Sequence, residues 1–308
     1  MKNIIQLFIY ILCVICTTFL LLTNSVYAAV NVVTTTTDAA SISKSIGGSY
    51  VNVISLTKGT RDPHFATAKP SMIKTVSRAD LLIVIGAELE VGWLPALLQS
   101  GRNANVTPGN EGYLDLSTAV NIKGRPTAQV TRDMGDVHSL GNPHYWLDPE
   151  NGILMAKAIA NRLSEIDSKH KEVYQKNAFL FEKKIHEKQI IWIKEMDFLR
   201  NKPVITYHTS MLYLAKTFGF NIVENIEPKP GISPSARHLN RLIETIKQNN
   251  VQLILVEPYY EIRSAELLKR KTGINIAVIP QSVGAQSNVT NYFELFDEIT
   301  KTIKLSVK

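Results

Sequence analysis

Between Asp148 and Leu199 the chain holds almost no helix breaker, the exceptions being Gly152 and a polar stretch at Asp167-Ser168. Asp148-Pro149 is a helix start, with Asp as N-cap and Pro at the first helical position. Ile153, Ala156, Ala160 and Leu163 mark an apolar stripe, and Ile185, Gln189, Trp192 and Met196 continue at helical spacing. The pattern predicts one long helix over 148–199, or two stacked end to end. Helices this long are unusual in a compact α/β domain. A rigid spine joining two lobes accounts for one, and such a spine favours a small closure over a wide hinge.

On both sides of this stretch, strand-like and helix-like segments alternate. Before it, Val30–Thr36, Val51–Leu56, Leu81–Gly86 and Tyr113–Leu116 read as strands. Ala39–Ile46, Pro70–Arg78 and Val91–Gln99 read as helices between them. Asn121–Asn142 is polar and punctuated by Gly and Pro, an excursion or hairpin. After it, Pro203–Tyr207, Phe220–Val223, Val251–Val256 and Ile276–Ile279 are strands. Met211–Phe218, Ser233–Asn249, Ile262–Thr272 and Tyr292–Lys304 are helices. The expected class is α/β: two parallel-sheet lobes joined by one long backbone helix. The expected divisions are a leader at 1–28, a lobe at 29–147, the linking helix at 148–199 and a second lobe at 200–308.

The leader is Lys2, a mostly apolar and uncharged run Ile4–Leu22, and the small-residue site Val26-Tyr27-Ala28. It reads as a secretory signal cleaved before Ala29; the competing reading is an uncleaved anchor. Cys13 and Cys16, the two cysteines of the chain, both lie in it. Leu12 and Ile15 stand where a lipoprotein signal carries a small residue. The expectation is therefore a periplasmic, monomeric protein with no lipid anchor, no disulfides and no thiolate ligands. The net charge of +7 comes from scattered Lys and Arg, without a nucleic-acid motif.

Three histidines fall at the ends of strand-like runs: His64 after Asp62-Pro63, His144 in Asn142-Pro143-His144-Tyr145-Trp146, and His208 after Pro203–Tyr207. Strand-end loops are where α/β proteins place their chemistry. Three neutral imidazoles converging from separate loops would hold a transition metal, zinc first. Trp146 and Tyr145 would wall such a site. His138 reads either as a residue around the site or as a plain loop residue. Glu257 ends a buried strand and could reach the cleft, cap or form an ion pair. Glu227 shapes the cleft. His170, His186 and His238 sit in Lys- and Glu-rich helices and are expected in solvent.

Several motifs occur together and in order: Asp62-Pro63-His64, Asp136-Val137-His138, Gly141-Asn142-Pro143-His144-Tyr145-Trp146-Leu147-Asp148-Pro149, Tyr207-His208 and Glu227-Pro228-Lys229-Pro230-Gly231-Ile232-Ser233-Pro234-Ser235. In these the chain resembles the substrate-binding proteins of zinc and manganese ABC importers, the periplasmic zinc-binding type. The resemblance implies two α/β lobes with a metal cleft between them. It also implies His64, His144 and His208 as ligands, and an ABC membrane permease with its cytoplasmic ATPase as partner. Many members carry a fourth ligand, Asp or Glu, after a strand near the C-terminus. Here Gln281 stands in that place with Ser282 beside it, leaving the position to water, a carboxylate from elsewhere, or the Gln281 oxygen.

Three imidazoles without a carboxylate favour Zn²⁺ over Mn²⁺, which prefers oxygen donors. The rival readings are a zinc hydrolase with an open three-histidine site and a metal-binding surface adhesin. Against the hydrolase, the chain has no His-Glu-x-x-His helix and no evident general base beside a ligand.

Overall fold

The computed structural model describes residues 29–131, 135 and 137–307. The leader with Cys13 and Cys16, and Asp136 of the Asp-Val-His motif, lie outside the described residues.

Two four-stranded parallel sheets form the body. The first contains β1 (Val30–Thr34), β2 (Val51–Ser55), β3 (Leu81–Val84) and β4 (Tyr113–Asp115), in the order β2-β1-β3-β4. The second contains β5 (Pro203–Thr206), β6 (Asn221–Asn225), β7 (Leu253–Val256) and β8 (Asn275–Val278), in the order β6-β5-β7-β8. The two orders are equivalent, each lobe placing its first strand second from the edge. All four residues of β3 and of β7 are buried. Such runs are unbroken apolar because helices cover both faces of a parallel sheet. Those helices include α1 (Thr37–Gly47), α2 (Pro70–Val76) and α3 (Leu94–Gly101) in the first lobe.

The spine differs from a single continuous rod. Asp148 caps α4 (Pro149–Ile166), its carboxylate accepting the Glu150 N–H at 3.1 Å. The chain then turns through a 3₁₀ segment, Ser168–His170, into α5 (Lys171–Met196). Lys157 pairs with Glu182 at 2.7 Å, Gln175 reaches Asn161 at 3.0 Å, and His186 approaches Glu150 at 3.8 Å. Those partners run in opposite directions along the sequence, so α4 and α5 lie side by side and antiparallel. The break sits at Asp167, whose carboxylate takes His170 Nδ1 at 2.7 Å and Tyr174 Oη at 2.6 Å. A polar pair that satisfies itself locally competes with helical continuation. The 26 residues of α5 still span about 39 Å, enough to run along both lobes.

The second lobe adds α6 (Leu212–Phe218), α7 (Ala236–Gln248) and α8 (Arg263–Thr272). The last helix, α9 (Tyr292–Ser306), packs on β8 and α5, and its first turn also reaches the first lobe. Tyr292 N–H donates to Ser41 Oγ at 2.9 Å, and its hydroxyl donates to the Trp146 carbonyl at 2.5 Å. Gly152 makes this approach possible: a Cβ there would stand 2.6 Å from the Tyr292 hydroxyl oxygen. Asp297 ties α9 to α5, accepting from Lys188 and, at 2.7 Å, from Trp192 Nε1. One buried cluster therefore runs from Val30 to Ile303.

Two histidines expected in solvent are not there. His238 is 5% exposed and its Nε2 lies 3.0 Å from the Asn225 carbonyl. His170 stacks on Tyr50 at 3.9 Å. Both sit on faces that the neighbouring strand or helix covers, which a helix's Lys and Glu content does not reveal. His186 is exposed as expected.

Candidate metal centre

The segments carrying His64, His144 and His208 follow the C-terminal ends of β2, β4 and β5. His64 and His144 belong to the first lobe and His208 to the second, and their rings meet. His64 and His144 ring centroids are 5.1 Å apart, His64 and His208 5.8 Å, and His144 and His208 5.4 Å. One nitrogen from each lies within 4.8 Å of the other two, close enough to be drawn onto one ion. His144 and His208 are buried, 1% and 4% exposed, whereas His64 faces the opening.

Two of the three imidazoles are held by the same local device. In Asp62-Pro63-His64, Asp62 Oδ1 accepts the His64 backbone N–H at 3.0 Å and its Nδ1 at 2.7 Å. In Asn142-Pro143-His144, Asn142 Oδ1 accepts the His144 N–H at 3.0 Å and its Nδ1 at 2.9 Å. The acidic or amide side chain bonds two residues on, and Pro between them fixes φ and brings no competing donor. His208 has no such neighbour in sequence; its Nδ1 meets Glu227 Oε2 at 2.7 Å instead. With a proton fixed on every Nδ1, all three Nε2 lone pairs are left for the ion. Asp62 and Glu227 each stand one imidazole outside the convergent nitrogens.

The electrostatics follow this layout. Burial, with His64 and His208 close by, holds His144 far below the usual histidine range, so it stays neutral. Burial pulls His208 down as well, but the Glu227 hydrogen bond and the Glu257 charge outweigh it and leave it raised. Burial pushes Asp62 up, and the His64 contacts more than reverse this. Glu257, fully buried at the end of β7, is pushed up to about 7 by burial, against the opposing pull of His208 and Ser210.

Other residues take definite places. Trp146 is buried 5.3 Å from the His144 ring, and its indole N–H donates to the Gln281 carbonyl at 2.9 Å. The buried Gln281 side chain has neither its oxygen nor its nitrogen partnered, and Glu257 Oε2 is also unpartnered. His138 reaches in from the mouth, its Nε2 3.2 Å from His64 Nε2. Tyr260, from the second lobe, lies 3.3 Å from Asp62 Oδ2 and stacks on Tyr207 at 4.5 Å. Sequence reasoning missed Asp62, Asn142 and Tyr260 as supports. The repeated Asx-Pro-His spacing was a readable signal for the first two; Tyr260 had none.

Two α/β lobes meeting at a cage of imidazole nitrogens define a protein built to hold a metal ion. Residues 32–305 match the family described as zinc-uptake complex component A, periplasmic, and the chain belongs to that family. It is a substrate-binding protein of metal ABC transporters, which work with a membrane permease and an ATPase, and not an enzyme. The metal ABC transporter substrate-binding lipoprotein FimA of Streptococcus parasanguinis is 28% identical over 80% of this chain and 77% of its own length. The manganese ABC transporter substrate-binding lipoprotein PsaA of Streptococcus pneumoniae is 26% identical over 80% of this chain and 77% of its own. The crystal structure of ZnuA superposes with a TM-score of 0.74 at 23% identity, covering 91% of this chain and all of that one.

These relatives correct one expectation. Both streptococcal proteins are named lipoproteins. The reading of a chain without a lipid anchor, drawn from Leu12 and Ile15 before Cys13 and Cys16, is thereby overturned. A location outside the cytoplasm agrees with their names. Among the described residues no helix is long and apolar enough to cross a membrane.

Proposed function

We propose that the cargo is Zn²⁺, held by Nε2 of His64, His144 and His208 and delivered by a monomeric chain to its permease. In this reading residues 29–147 and 200–308 are the two lobes that share the ion. The observation that carries it is the engagement of all three Nδ1 atoms, which leaves three convergent Nε2 donors. Nitrogen donors favour zinc over manganese in the divalent series. Some relatives are named for manganese; the three donors brought together here are all nitrogens. The fourth place on the ion falls to water or to the Gln281 oxygen, and the unpartnered buried amide fits either. Glu257 serves as a buried outer carboxylate on the His208 side.

Competition against a chromophoric chelator tests this. One Zn²⁺ per chain should bind tightly and Mn²⁺ much more weakly. Tighter Mn²⁺ binding would mean that oxygen donors complete the site and that zinc is the wrong cargo.

A further inference from the structure

The side chains that hold the two first-lobe imidazoles each make a further bond, and both of those bonds cross the cleft. Asp62 gives Oδ1 to His64 and turns Oδ2 to Tyr260, whose hydroxyl donates to it at 3.3 Å. Asn142 gives Oδ1 to His144 and turns Nδ2 to the Thr209 carbonyl, to which it donates at 2.8 Å. Tyr260 and Thr209 belong to the second lobe, and Thr209 directly follows His208. Each Asx side chain thus has one end on a first-lobe imidazole and the other on the second lobe. His208 has no such crossing, since Glu227 lies in its own lobe.

The acid at one position and the amide at the other follow from these partners. A tyrosine hydroxyl has a proton to give, and a carboxylate oxygen takes it. A backbone carbonyl only accepts, so the atom facing it must carry hydrogen, and the Asn142 amide nitrogen does. The His144 N–H that the same amide serves demands its oxygen, so the two partners together fix which way the amide points. The far contacts are themselves seated. Tyr260 stacks on Tyr207 at 4.5 Å with the rings 10° from parallel, and its N–H donates to the Glu257 carbonyl at 3.2 Å. Beside Thr209, the Tyr213 hydroxyl donates to the Asn142 carbonyl at 2.8 Å and accepts the Lys123 N–H at 2.9 Å. The Asp62 side chain is 13% exposed, so water competes little for the Tyr260 bond.

On the basis of the three-histidine centre as the metal site, we propose that Tyr260 and Thr209 are positioning residues. Acting through Asp62 and Asn142, they make the ring orientation of His64 and His144 depend on contact between the lobes. With the lobes in contact, both Asx side chains are held at two ends and both Nε2 atoms stay turned toward His208. When the lobes part, each Asx keeps only its bonds to the histidine beside it, and the rings lose their preorganisation. Opening therefore loosens both first-lobe ligands together, and the ties control release of the ion rather than its arrival.

Chelator competition for Kd, and stopped-flow mixing of the zinc-loaded full chain with excess chelator for dissociation, test this. Tyr260→Phe keeps the stack on Tyr207 and loses the donor. It should raise Kd about tenfold, nearly all of it as faster dissociation, with the metal-free melting temperature close to wild type. In an Asp62→Ala background the same change should add nothing. Asn142→Asp keeps an oxygen for His144 but sets a carboxylate oxygen against the Thr209 carbonyl. Added negative charge beside an imidazole would by itself tighten zinc binding, so the tie predicts the opposite sign, binding at least tenfold weaker. Wild-type Kd in Tyr260→Phe would overturn the tie at His64, and wild-type or tighter binding in Asn142→Asp would overturn the tie at His144. Additive losses in the Tyr260→Phe, Asp62→Ala double variant would show that Tyr260 does not act through Asp62. A clearly lower metal-free melting temperature in Tyr260→Phe, with dissociation unchanged, would make the bond structural only. Full zinc affinity in His208→Ala would sink the underlying centre rather than the ties.

Discussion

His208 Nδ1 lies 2.7 Å from Glu227 Oε2, and that same oxygen accepts the Gly231 N–H at 3.1 Å. One carboxylate thus fixes the tautomer of the second-lobe ligand and is itself fixed by the Pro230-Gly231 turn. Glu227→Ala should lower zinc affinity about 10- to 100-fold although no ligand is removed, the usual effect of losing an outer partner. Glu227→Gln, which can still accept from Nδ1, should lose less. Chelator competition measures both, and wild-type affinity in Glu227→Ala would show that His208 needs no such support.

The Asx-Pro-His device gives a parallel expectation on the first lobe. Asp62→Ala removes the acceptor of both His64 groups and the contact to Tyr260, and should cost affinity by a similar factor. Asp62→Asn keeps an acceptor oxygen and should retain most of it. Equal losses in the two variants would assign the effect to charge rather than to ring orientation.

Zinc should raise the melting temperature of the wild-type chain strongly. Ligand present at a thousand times Kd adds about 4 kcal/mol. His208→Ala and His144→Ala should lose most of that increment while their metal-free melting temperatures stay close to wild type. A metal-free form that already melts far lower would make these histidines structural.

Zinc binding should weaken as pH falls, because each imidazole must be neutral to ligate. His208 takes up a proton before His144: burial lowers it, but Glu227 and Glu257 outweigh this and leave it raised. His144, held low, stays neutral. Calorimetry in buffers of differing ionisation enthalpy should therefore record proton release on binding near neutrality that fades at higher pH. Glu227→Ala should shift that release to lower pH. Proton release unchanged in the variant would place the proton on another group.

Glu257 makes the opposite demand on the fold. Its carboxyl, raised from 4.5 to about 7, is neutral when folded at mildly acid pH. A raised carboxyl pKa favours the folded state below the unfolded value, and that advantage is lost as pH rises through about 7. The loss reaches about 3 kcal/mol at most. Metal-free Glu257→Gln should thus be more stable than wild type at pH above 7 and match it in acid. Denaturant unfolding across pH checks this, and a difference that does not vary with pH would refute it.

Much of this molecule is legible in its sequence because its signals are local. The buried runs Leu81–Val84 and Leu253–Val256, the Asp148 cap and the three strand-end histidines each declare themselves within a few residues. What escaped depends on partners far along the chain. The polar stretch at Asp167 is local and visible, but the antiparallel return of α5 along α4 rests on distant pairs such as Glu150 with His186. Glu227 is 19 residues from the ring it holds, and Tyr260 198 from Asp62. No spacing rule links such pairs before the sheets bring them together.

The contact of the first turn of α9 with the first lobe also sets an order of events during synthesis. Asp38 finds the Val283 N–H across 245 residues, and Ser41 finds Tyr292 across 251. A growing chain can pair β1 with β2 early, yet the bonds that close this lobe need residues near its other end. Contacts of such sequence separation are slow to form. The N-terminal half therefore stays unfinished until translation is nearly complete.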